Sequence, residues 1–527
     1  MNSPLRRLAG IALVLVAAIG CARPAAPTAP RDTIVRHLEG DPATLDPITI
    51  KDELGLRVVD MLFRPLVAID RDRRFTPGLA LSWKIEEGGR SYTFALDPKA
   101  RWEDTTPVTS ADVKFTLERV VDPKGGATNW RPALEDLESV ETPDAATVRV
   151  RFGRVYAGRL FAFNLPIVCA AAYRRAPEAV HRSPVGSGPY RLESWETNQK
   201  LTLVRRADAP EGAAPFRRIL FRVIPDDAVR FAAGSRGELD EFRITRDQRA
   251  AAGKTPEFLA RNRILKVPQF LEVLVLWNCR NPVLADARVR RALAMAWPRA
   301  DTARRLYPPD GARLVSGPYP ASAAENDPAV APPAFDPAAS GRLLDEAGIR
   351  LGTDGARRKG GKKVSLELLH PVGRIYSTLS EILRSAYAKL GVELVERPLD
   401  WAAFTQRSVA GEFDAQLTGR QFLPPNPDPY PFFHSSQFSP TGGNVGFYSN
   451  AAADRVMEAA ERELDDGKRL ALYREVHRLL AADPPADFLY SADQYWAMSK
   501  AVDGVEVSPF DLFHFFPGPL AWRPAAR

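Results

Sequence analysis

Few side chains in this 527-residue sequence are spaced for chemistry on a substrate. The stretch from Gly355 to Lys362 approaches the pattern of a phosphate-binding loop, but Gly361 follows Gly360 where that loop needs Lys, and Lys362 is followed by Lys363 without the required Ser or Thr. Residues 186–188 (Gly-Ser-Gly) lack the Gly-x-Ser-x-Gly spacing of a serine nucleophile, and Pro189 follows where a helix should begin. We therefore predict a charged hairpin tip at the first segment and no nucleophile at the second.

Histidines and carboxylates give no catalytic signature either. The six histidines are scattered along the chain, without a pair at metal-ligand spacing. Carboxylates are plentiful, but no local pattern selects two of them as an acid–base pair. The sequence thus predicts a protein that is not an enzyme and that needs no metal and no cofactor.

The composition is that of a globular protein with several domains. Hydrophobic residues make up 45% of the chain and charged residues 26%, which excludes a disordered or fibrous chain. The length allows roughly two to four domains. Lys and Arg (72) are interspersed with Asp and Glu (65), so the net charge of +7 forms no basic cluster, and we expect no nucleic-acid partner.

An export signal stands at the amino terminus. Arg6 and Arg7 precede an apolar stretch over residues 8–20, which is the charged-then-apolar order of a secretory signal. The stretch is too short for a transmembrane helix, which needs about 20 apolar residues. We expect residues 1–20 to be removed as a lipoprotein signal peptide.

Cys21 is the predicted lipidation site. It follows Ala-Ile-Gly, which is similar to the bacterial lipobox, although Ala18 stands where that motif usually has Leu. Cleavage without lipidation is the alternative. Residues 21–30 form a Pro/Ala linker that is expected to hold the protein off the bilayer. The predicted location is therefore extracytoplasmic or periplasmic, with a lipid anchor in a membrane.

If Cys21 is acylated, Cys169 and Cys279 are the two remaining cysteines. In an oxidising compartment they can form a disulfide. Two buried, unpaired thiols are the alternative, because the sequence does not give the distance between them. Both interpretations stay open at this point.

Strand and helix patterns mix throughout the chain, which indicates an α/β or α+β protein. Alternating apolar residues predict strands, and a polar cap before an apolar stripe predicts helices. The predicted strands are 91–97, 147–152, 201–204, 219–224 and 392–395, and the predicted helices begin after Ser110 and Asp286, cover 336–347 and 377–390, and occur twice within 451–482.

Six segments in one order resemble a known family. They are Leu79–Trp83 with 91–120, then 184–190, 236–240, 277–293, 335–348 and 444–490. Together they resemble the extracytoplasmic solute-binding proteins of ABC importers, in the large peptide- and nickel-binding class called family 5. Each segment alone is weak evidence for the family, whereas six segments in the family's order are strong evidence.

The resemblance implies an α/β, two-lobed periplasmic-binding-protein (Venus flytrap) fold with an extra inserted domain. Lobe I would comprise residues 31–50, 184–277 and 486–527, the inserted domain 51–183, and lobe II 278–485. It further implies a monomeric substrate-binding lipoprotein that closes on a peptide or related small solute and delivers it to permease and ATPase subunits. A solute-sensing receptor without a permease is the alternative, and a secreted hydrolase is a minor one.

The resemblance also implies where the solute binds. In the family's peptide binders, a segment of lobe II carries a Trp and then an Asp that pairs with the ligand's ammonium group. Here Arg420 stands at the Trp position, and Asp428 is the nearest substitute for the missing Asp. Either Asp428 replaces it and the ligand is a peptide, or Arg420 faces the cleft and binds an anion. Further candidates by family position, with ordinary core packing as the alternative, are Trp401, Tyr490, Tyr495, Trp496 and, at the cleft edge, Glu39.

Overall fold

The computed structural model describes residues 32–126, 130–134, 136–209, 214–307, 312–422 and 426–526. The predictions for the signal peptide, for Cys21 and for the linker lie outside these residues. No helix within the described ranges combines the length and the apolar character that a membrane span requires.

Strands and helices alternate along the described chain. The strands are β1 (Thr33–Leu38), β2 (Val67–Ile69), β3 (Phe75–Pro77), β4 (Ala80–Glu86), β5 (Ser91–Leu96), β6 (Leu137–Asp144), β7 (Thr147–Phe152), β8 (Tyr190–Glu196), β9 (Lys200–Arg205), β10 (Arg218–Val223), β11 (Glu241–Ile244), β12 (Asn262–Val267), β13 (Leu271–Trp277), β14 (Ala312–Leu314), β15 (Arg350–Leu351), β16 (Arg357–Lys359), β17 (Lys362–Lys363), β18 (Ser365–Pro371), β19 (Glu393–Leu399), β20 (Ala415–Gln421), β21 (Ala486–Ala492), β22 (Gln494–Ser499), β23 (Val502–Asp503) and β24 (Arg523–Pro524). The helices are α1 (Glu53–Leu62), α2 (Ser110–Val121), α3 (Arg159–Ala162), α4 (Ala170–Arg175), α5 (Asp227–Ser235), α6 (Arg246–Ala252), α7 (Pro256–Arg261), α8 (Ala287–Met295), α9 (Arg299–Leu306), α10 (Pro337–Glu346), α11 (Arg374–Lys389), α12 (Trp401–Ala410), α13 (Tyr430–Phe433), α14 (Ala451–Arg462) and α15 (Asp466–Ala482).

The first large sheet has the strand order β12-β22-β11-β1-β10-β9-β8. Its centre is parallel, because β1 pairs in parallel with both β10 and β11. In β9 the buried Leu201 and Leu203 alternate with partly exposed neighbours, as expected for a strand with one face on a core. We call this sheet, with helices α5 to α7, the first lobe.

The second large sheet has the order β14-β21-β13-β20-β18-β19, and β18 pairs in parallel with β19 and β20. Alternate residues of β13 enter different cores: Val273 and Val275 pack in one, and Leu274 and Leu276 in another. Helices therefore cover both faces of this sheet, which explains why β13 is a nearly continuous apolar run. We call this sheet, with helices α8 to α15, the second lobe.

The segment between α1 and β8 forms a smaller sheet, β4-β5-β7-β6, with α2. Phe94 and Val150 of this sheet belong to the same hydrophobic core as Phe221 and Trp496 of the first lobe. The segment therefore packs as an extension of the first lobe. We call it the inserted segment.

The chain crosses directly between the lobes twice, at residues 268–270 and at Asp493. The Asp493 carboxylate lies 3.2 Å from Lys266 of the first lobe and 3.2 Å from Arg313 of the second. A division by sheets assigns β13 and β21 to the second lobe, whereas we predicted them in lobe I. The domain boundaries themselves stay a prediction.

Candidate ligand-binding cleft

A cavity of about 680 Å³ lies between the two lobes. On the first lobe it is lined by Glu39, which follows β1, and by residues 243–247 at the end of β11. On the second lobe it is lined by residues 304–307 at the end of α9 and by Arg374, Ile375 and Thr378, which follow β18. The carboxyl ends of parallel strands in both sheets thus meet at this cavity, the usual position for ligands of α/β folds.

Glu39 lies on the wall of this cavity but is already held by cations. Its carboxylate is 3.3 Å from His37, 3.5 Å from Arg57 and 3.7 Å from Arg243. Burial alone would raise the pKa of Glu39, but the hydrogen bond from His37 and the charge of Arg57 lower it well below its ordinary value. Glu39 is therefore a neutralised part of the wall.

One contact crosses the cavity from lobe to lobe. The Arg246 guanidinium, at the start of α6, lies 3.9 Å from the centre of the Tyr307 ring on the second lobe. Tyr307 donates a hydrogen bond of 2.9 Å to the buried Tyr490 hydroxyl. A cation over an aromatic face is attractive, so this contact tends to hold the lobes together.

The predicted aromatic residues lie in three different environments. Tyr495 lines the cavity, with the Arg249 guanidinium 4.6 Å from its ring centre. Tyr490 does not line the cavity, but its hydroxyl contacts Tyr307, which does. Trp496 instead packs in the first lobe, its ring centre 4.8 Å from that of Phe513, as ordinary core.

Trp401 is exposed at the same edge of the second sheet. It begins α12, directly after β19, and 63% of its surface is accessible. Pro371 and Leu399 are partners at the carboxyl ends of the parallel strands β18 and β19. The exposed Val372 and Trp401 follow these strand ends, so both lie at the sheet edge from which Arg374, Ile375 and Thr378 reach the cavity. Trp401 does not line the cavity itself, so its role in binding stays a prediction.

One of the two alternatives had Arg420 facing the cleft, but Arg420 does not line the cavity. Its guanidinium is 2.8 Å from the Glu272 carboxylate of the neighbouring strand and also bonds the Pro318 carbonyl. Three phenylalanine rings surround it, at residues 422, 432 and 433. The side chain is 11% exposed, so Arg420 is a structural cation of the second lobe.

Asp428 is also buried away from the cavity. It accepts a hydrogen bond of 3.1 Å from the Tyr156 hydroxyl of the inserted segment and one of 3.0 Å from the Tyr430 amide. Burial raises the pKa of this carboxyl. Asp428 therefore joins the inserted segment to the second lobe and does not substitute for an ammonium partner in this conformation.

The two described cysteines are free thiols, which corrects the disulfide alternative. Cys169 is buried in the core shared by the first lobe and the inserted segment. Cys279 packs against a core of the second lobe that contains Leu274 and Leu276. Each cysteine belongs to a separate core, so the fold keeps them apart.

A second cavity, of about 190 Å³, lies between α1 and residues 513–520 and is mostly apolar. Arg57 separates it from the larger cavity, because its guanidinium contacts Glu39 and lies 4.3 Å from the Phe513 ring centre. His514 lines the smaller cavity, with its Nδ1 2.7 Å from the Asp60 carboxylate. Burial alone would lower the pKa of His514, but Asp511 and Asp60 raise it to about 9.

His514 should make stability depend on pH in the neutral to alkaline range. The folded protein holds this proton up to about pH 9, whereas an unfolded histidine loses it at about pH 6.5. The stabilisation is therefore complete below about pH 6.5 and is lost as the pH rises through 9. We expect the stability advantage of the wild type over His514→Gln to be about 3 kcal/mol larger at pH 6 than at pH 10.

Urea unfolding across this pH range measures that difference. Asp60→Asn removes one acidic partner and should move the loss of stability to lower pH. A His514→Gln variant whose stability falls in parallel with the wild type at every pH would contradict the assignment.

The pair formed by Ser316 and His477, one of the described serine–histidine pairs, is not arranged for general-base catalysis. The Ser316 hydroxyl is 3.1 Å from His477 Nε2, and Nδ1 of the same ring accepts the Asp327 backbone N–H at 2.9 Å. Nδ1 therefore carries no proton, and Nε2 carries the proton and donates it to Ser316. A histidine in this tautomer cannot accept the serine proton as a general base would.

Residues missed by the sequence analysis make up most of the charged wall. Arg246, Asp247, Arg305 and Arg374 line the cavity, and none was a candidate. Arg246 and Arg374 share a usable signal, since each begins a helix just after a parallel strand. Recognising that signal needs the strand pairing, which the local sequence does not contain.

Comparison with known proteins agrees with this architecture. Residues 74–444 match the family described as bacterial extracellular solute-binding proteins, family 5 Middle. A dipeptide-binding protein of Pseudomonas aeruginosa is 26% identical over 510 residues, covering 91% of this chain and 93% of the relative. The oligopeptide-binding protein AppA of Bacillus subtilis is 27% identical over 497 residues, covering 89% of this chain and 88% of the relative.

Solved structures show the same fold. NikZ of Campylobacter jejuni, in complex with Ni(L-His), superimposes with a TM-score of 0.79 at 22% identity and covers 94% of this chain and 100% of its own. AppA of B. subtilis, in complex with a nonapeptide, gives 0.77 at 23% identity with the same coverage. The predicted two-lobed α/β fold is confirmed. This chain belongs to family 5 of the bacterial extracellular solute-binding proteins.

Proposed function

We propose that this protein captures peptides in the larger cavity and delivers them to the permease and ATPase subunits of an ABC importer. The observation that carries the proposal is a cavity of about 680 Å³ whose walls come from both lobes and carry charges of both signs. A peptide has an ammonium group at one end and a carboxylate at the other, so it can pair with both kinds of charge. The dipeptide- and oligopeptide-binding relatives support the same ligand class.

Binding would act through closure of the two lobes. The crossings at 268–270 and at Asp493 are short, so a rotation there moves one sheet edge against the other. A peptide that touches both walls binds better when the lobes are closed, and it shifts the equilibrium by that difference in affinity. The permease would recognise the closed form, and no bond in the solute is broken.

The anchor belongs to the same proposal. Acylation of Cys21 would tether the protein to a membrane, and residues 22–30 would serve as the spacer. The protein would act as an extracytoplasmic monomer that exchanges solute with its permease.

Isothermal titration calorimetry tests peptide binding. The protein is first unfolded and refolded, because this removes any solute that co-purified with it. We expect Ala-Ala to bind, and N-acetyl-Ala-Ala and Ala-Ala-amide to bind at least about tenfold more weakly, because each loses one charge-assisted contact. Asp247→Asn should weaken binding of Ala-Ala while leaving binding of the acetylated peptide unchanged. Absence of binding for every free dipeptide would refute the proposal.

A further inference from the structure

Most acidic groups at the larger cavity are already paired. Glu39 lies near Arg57 and Arg243. The exposed Asp227 bonds Arg230 within α5, and Asp493 bridges Lys266 and Arg313, as described above. These carboxylates contribute little free negative charge to a ligand in the cavity.

Three arginines on the walls have no acidic partner among the described residues. Arg246 projects from the first lobe, and Arg305 and Arg374 project from α9 and α11 of the second. Arg374 also begins a 16-residue helix whose cap residue, Gly373, has no side chain to cap the first turn, and the helix amino terminus adds partial positive charge. Among the described residues that line the cavity, Asp247 is the one carboxylate without a cationic partner.

We propose that the cleft selects acidic peptides, held by Arg246 of the first lobe and by Arg305 and Arg374 of the second. This inference rests on the proposed peptide-binding function and names the ligand class for the same site. An acidic dipeptide carries one ammonium group and two carboxylates. Asp247 can pair with the ammonium group, and the three guanidinium groups can hold the two carboxylates in bidentate geometry.

Closure makes the selection stronger than it is in the open cleft. When the lobes close, the arginines lose water, and a guanidinium that loses water without gaining a counter-charge costs free energy. An acidic peptide supplies that counter-charge with its two carboxylates. A neutral isostere has one carboxylate, so part of the arginine charge stays uncompensated. Acidic peptides should therefore shift the equilibrium toward the closed form more than neutral ones.

Isosteric peptides test the inference. Binding of Ala-Glu, Ala-Gln and Ala-Lys is measured by calorimetry at 50 and 300 mM NaCl. We expect Ala-Glu to bind about tenfold or more tightly than Ala-Gln, and Ala-Lys to bind weakest. The advantage of Ala-Glu should shrink at the higher salt concentration, because salt screens the attraction.

Arginine variants connect the preference to the cavity. Arg305→Gln and Arg374→Gln should each weaken Ala-Glu binding about tenfold and weaken Ala-Gln binding less, because Ala-Gln carries one carboxylate instead of two. Arg342→Gln, at an exposed arginine of α10 that does not line the cavity, is the matched control and should change neither affinity.

The failures of the two proposals differ. Equal affinity for Ala-Glu and Ala-Gln would overturn the acidic preference and leave peptide binding intact. Absence of binding for all three dipeptides would overturn the proposed function and, with it, this inference. An Ala-Glu preference that survives both arginine substitutions would refute the role of Arg305 and Arg374.

Discussion

Replacing Glu241 with glutamine is expected to destabilise the first lobe by about 3 to 5 kcal/mol. Glu241 is fully buried and lies between two buried guanidinium groups, 2.9 Å from Arg36 and 2.9 Å from Arg57. Glutamine keeps the size of the side chain but removes the negative charge. Two cations then remain in the core with insufficient counter-charge, and this is the usual cause of large losses at buried ion pairs.

The surroundings of this cluster leave it no easy relaxation. Arg36 lies within about 5 Å of the ring centres of Phe221, Phe513 and Trp522, which exclude water from it. Burial lowers the pKa of Arg36 to about 10, which still leaves the group charged at neutral pH. Without Glu241 the pKa of Arg36 falls further, because the Glu241 charge opposes the effect of burial.

Urea unfolding monitored by circular dichroism measures the loss. Glu193→Gln is the matched control, because it removes the carboxylate of an exposed pair with Arg218 and should cost less than about 1 kcal/mol. If Glu241→Gln and Glu193→Gln were equally stable, the buried cluster would contribute no more than a surface pair, and our account of the first lobe would be wrong.

Elements with a strong local pattern could be predicted from the sequence. The strand predicted at 147–152 is observed with those bounds as β7, and α8 begins after Asp286, whose side chain caps it. The charged segment around Gly360 forms the tip of the β16–β17 hairpin, as predicted. In each case a single stretch of chain contains the whole signal: alternation, a cap or a turn.

Boundaries were less accurate where tertiary contacts decide them. We predicted that α11 begins at residue 377, but it begins at Arg374, after a glycine with φ of 152°. We placed the cap of α2 at Ser110, whereas Thr109 and Asp112 form its capping box. Both helices therefore begin earlier than predicted, α11 by three residues and α2 by one.

The site could be predicted only in part, because its charges find partners far along the chain. Family position identified Glu39 and Tyr495 on the cavity wall. It also gave Arg420 at the ligand as one of two alternatives, because Glu272, the residue that neutralises Arg420, is 148 positions away. Only the pairing of β13 with β20 brings these two side chains together, and nothing local to either residue indicates it.

Replacing Arg420 with methionine is expected to destabilise the second lobe by about 3 to 5 kcal/mol at pH 8. Glu272 is fully buried, and Arg420 is its cationic partner at 2.8 Å. Burial raises the pKa of Glu272 to about 7, although the charge of Arg420 acts against that shift. Without Arg420, Glu272 must either stay ionised in the core without a counter-charge or take up a proton, and each costs free energy at pH 8.

The loss should depend on pH with a definite sign. An unfolded glutamate titrates at about pH 4.3. Between about pH 4.3 and pH 7 the folded wild type therefore holds the Glu272 proton more tightly than the unfolded chain does. The free energy of unfolding contributed by this group therefore decreases as the pH rises through that window. In Arg420→Met the folded pKa of Glu272 rises further, so the deficit should be large at pH 8 and smaller at pH 5.

The double variant Glu272→Gln with Arg420→Met separates the pair from the site. It removes both charges, so we expect it to recover much of the lost stability and to lose the pH dependence. Calorimetry on the folded Arg420→Met protein at pH 5 should show peptide affinity within about twofold of the wild type. A variant with unchanged stability but without peptide binding would instead place the Arg420 guanidinium against the solute, as the anion-binding alternative requires, and would refute the buried pair.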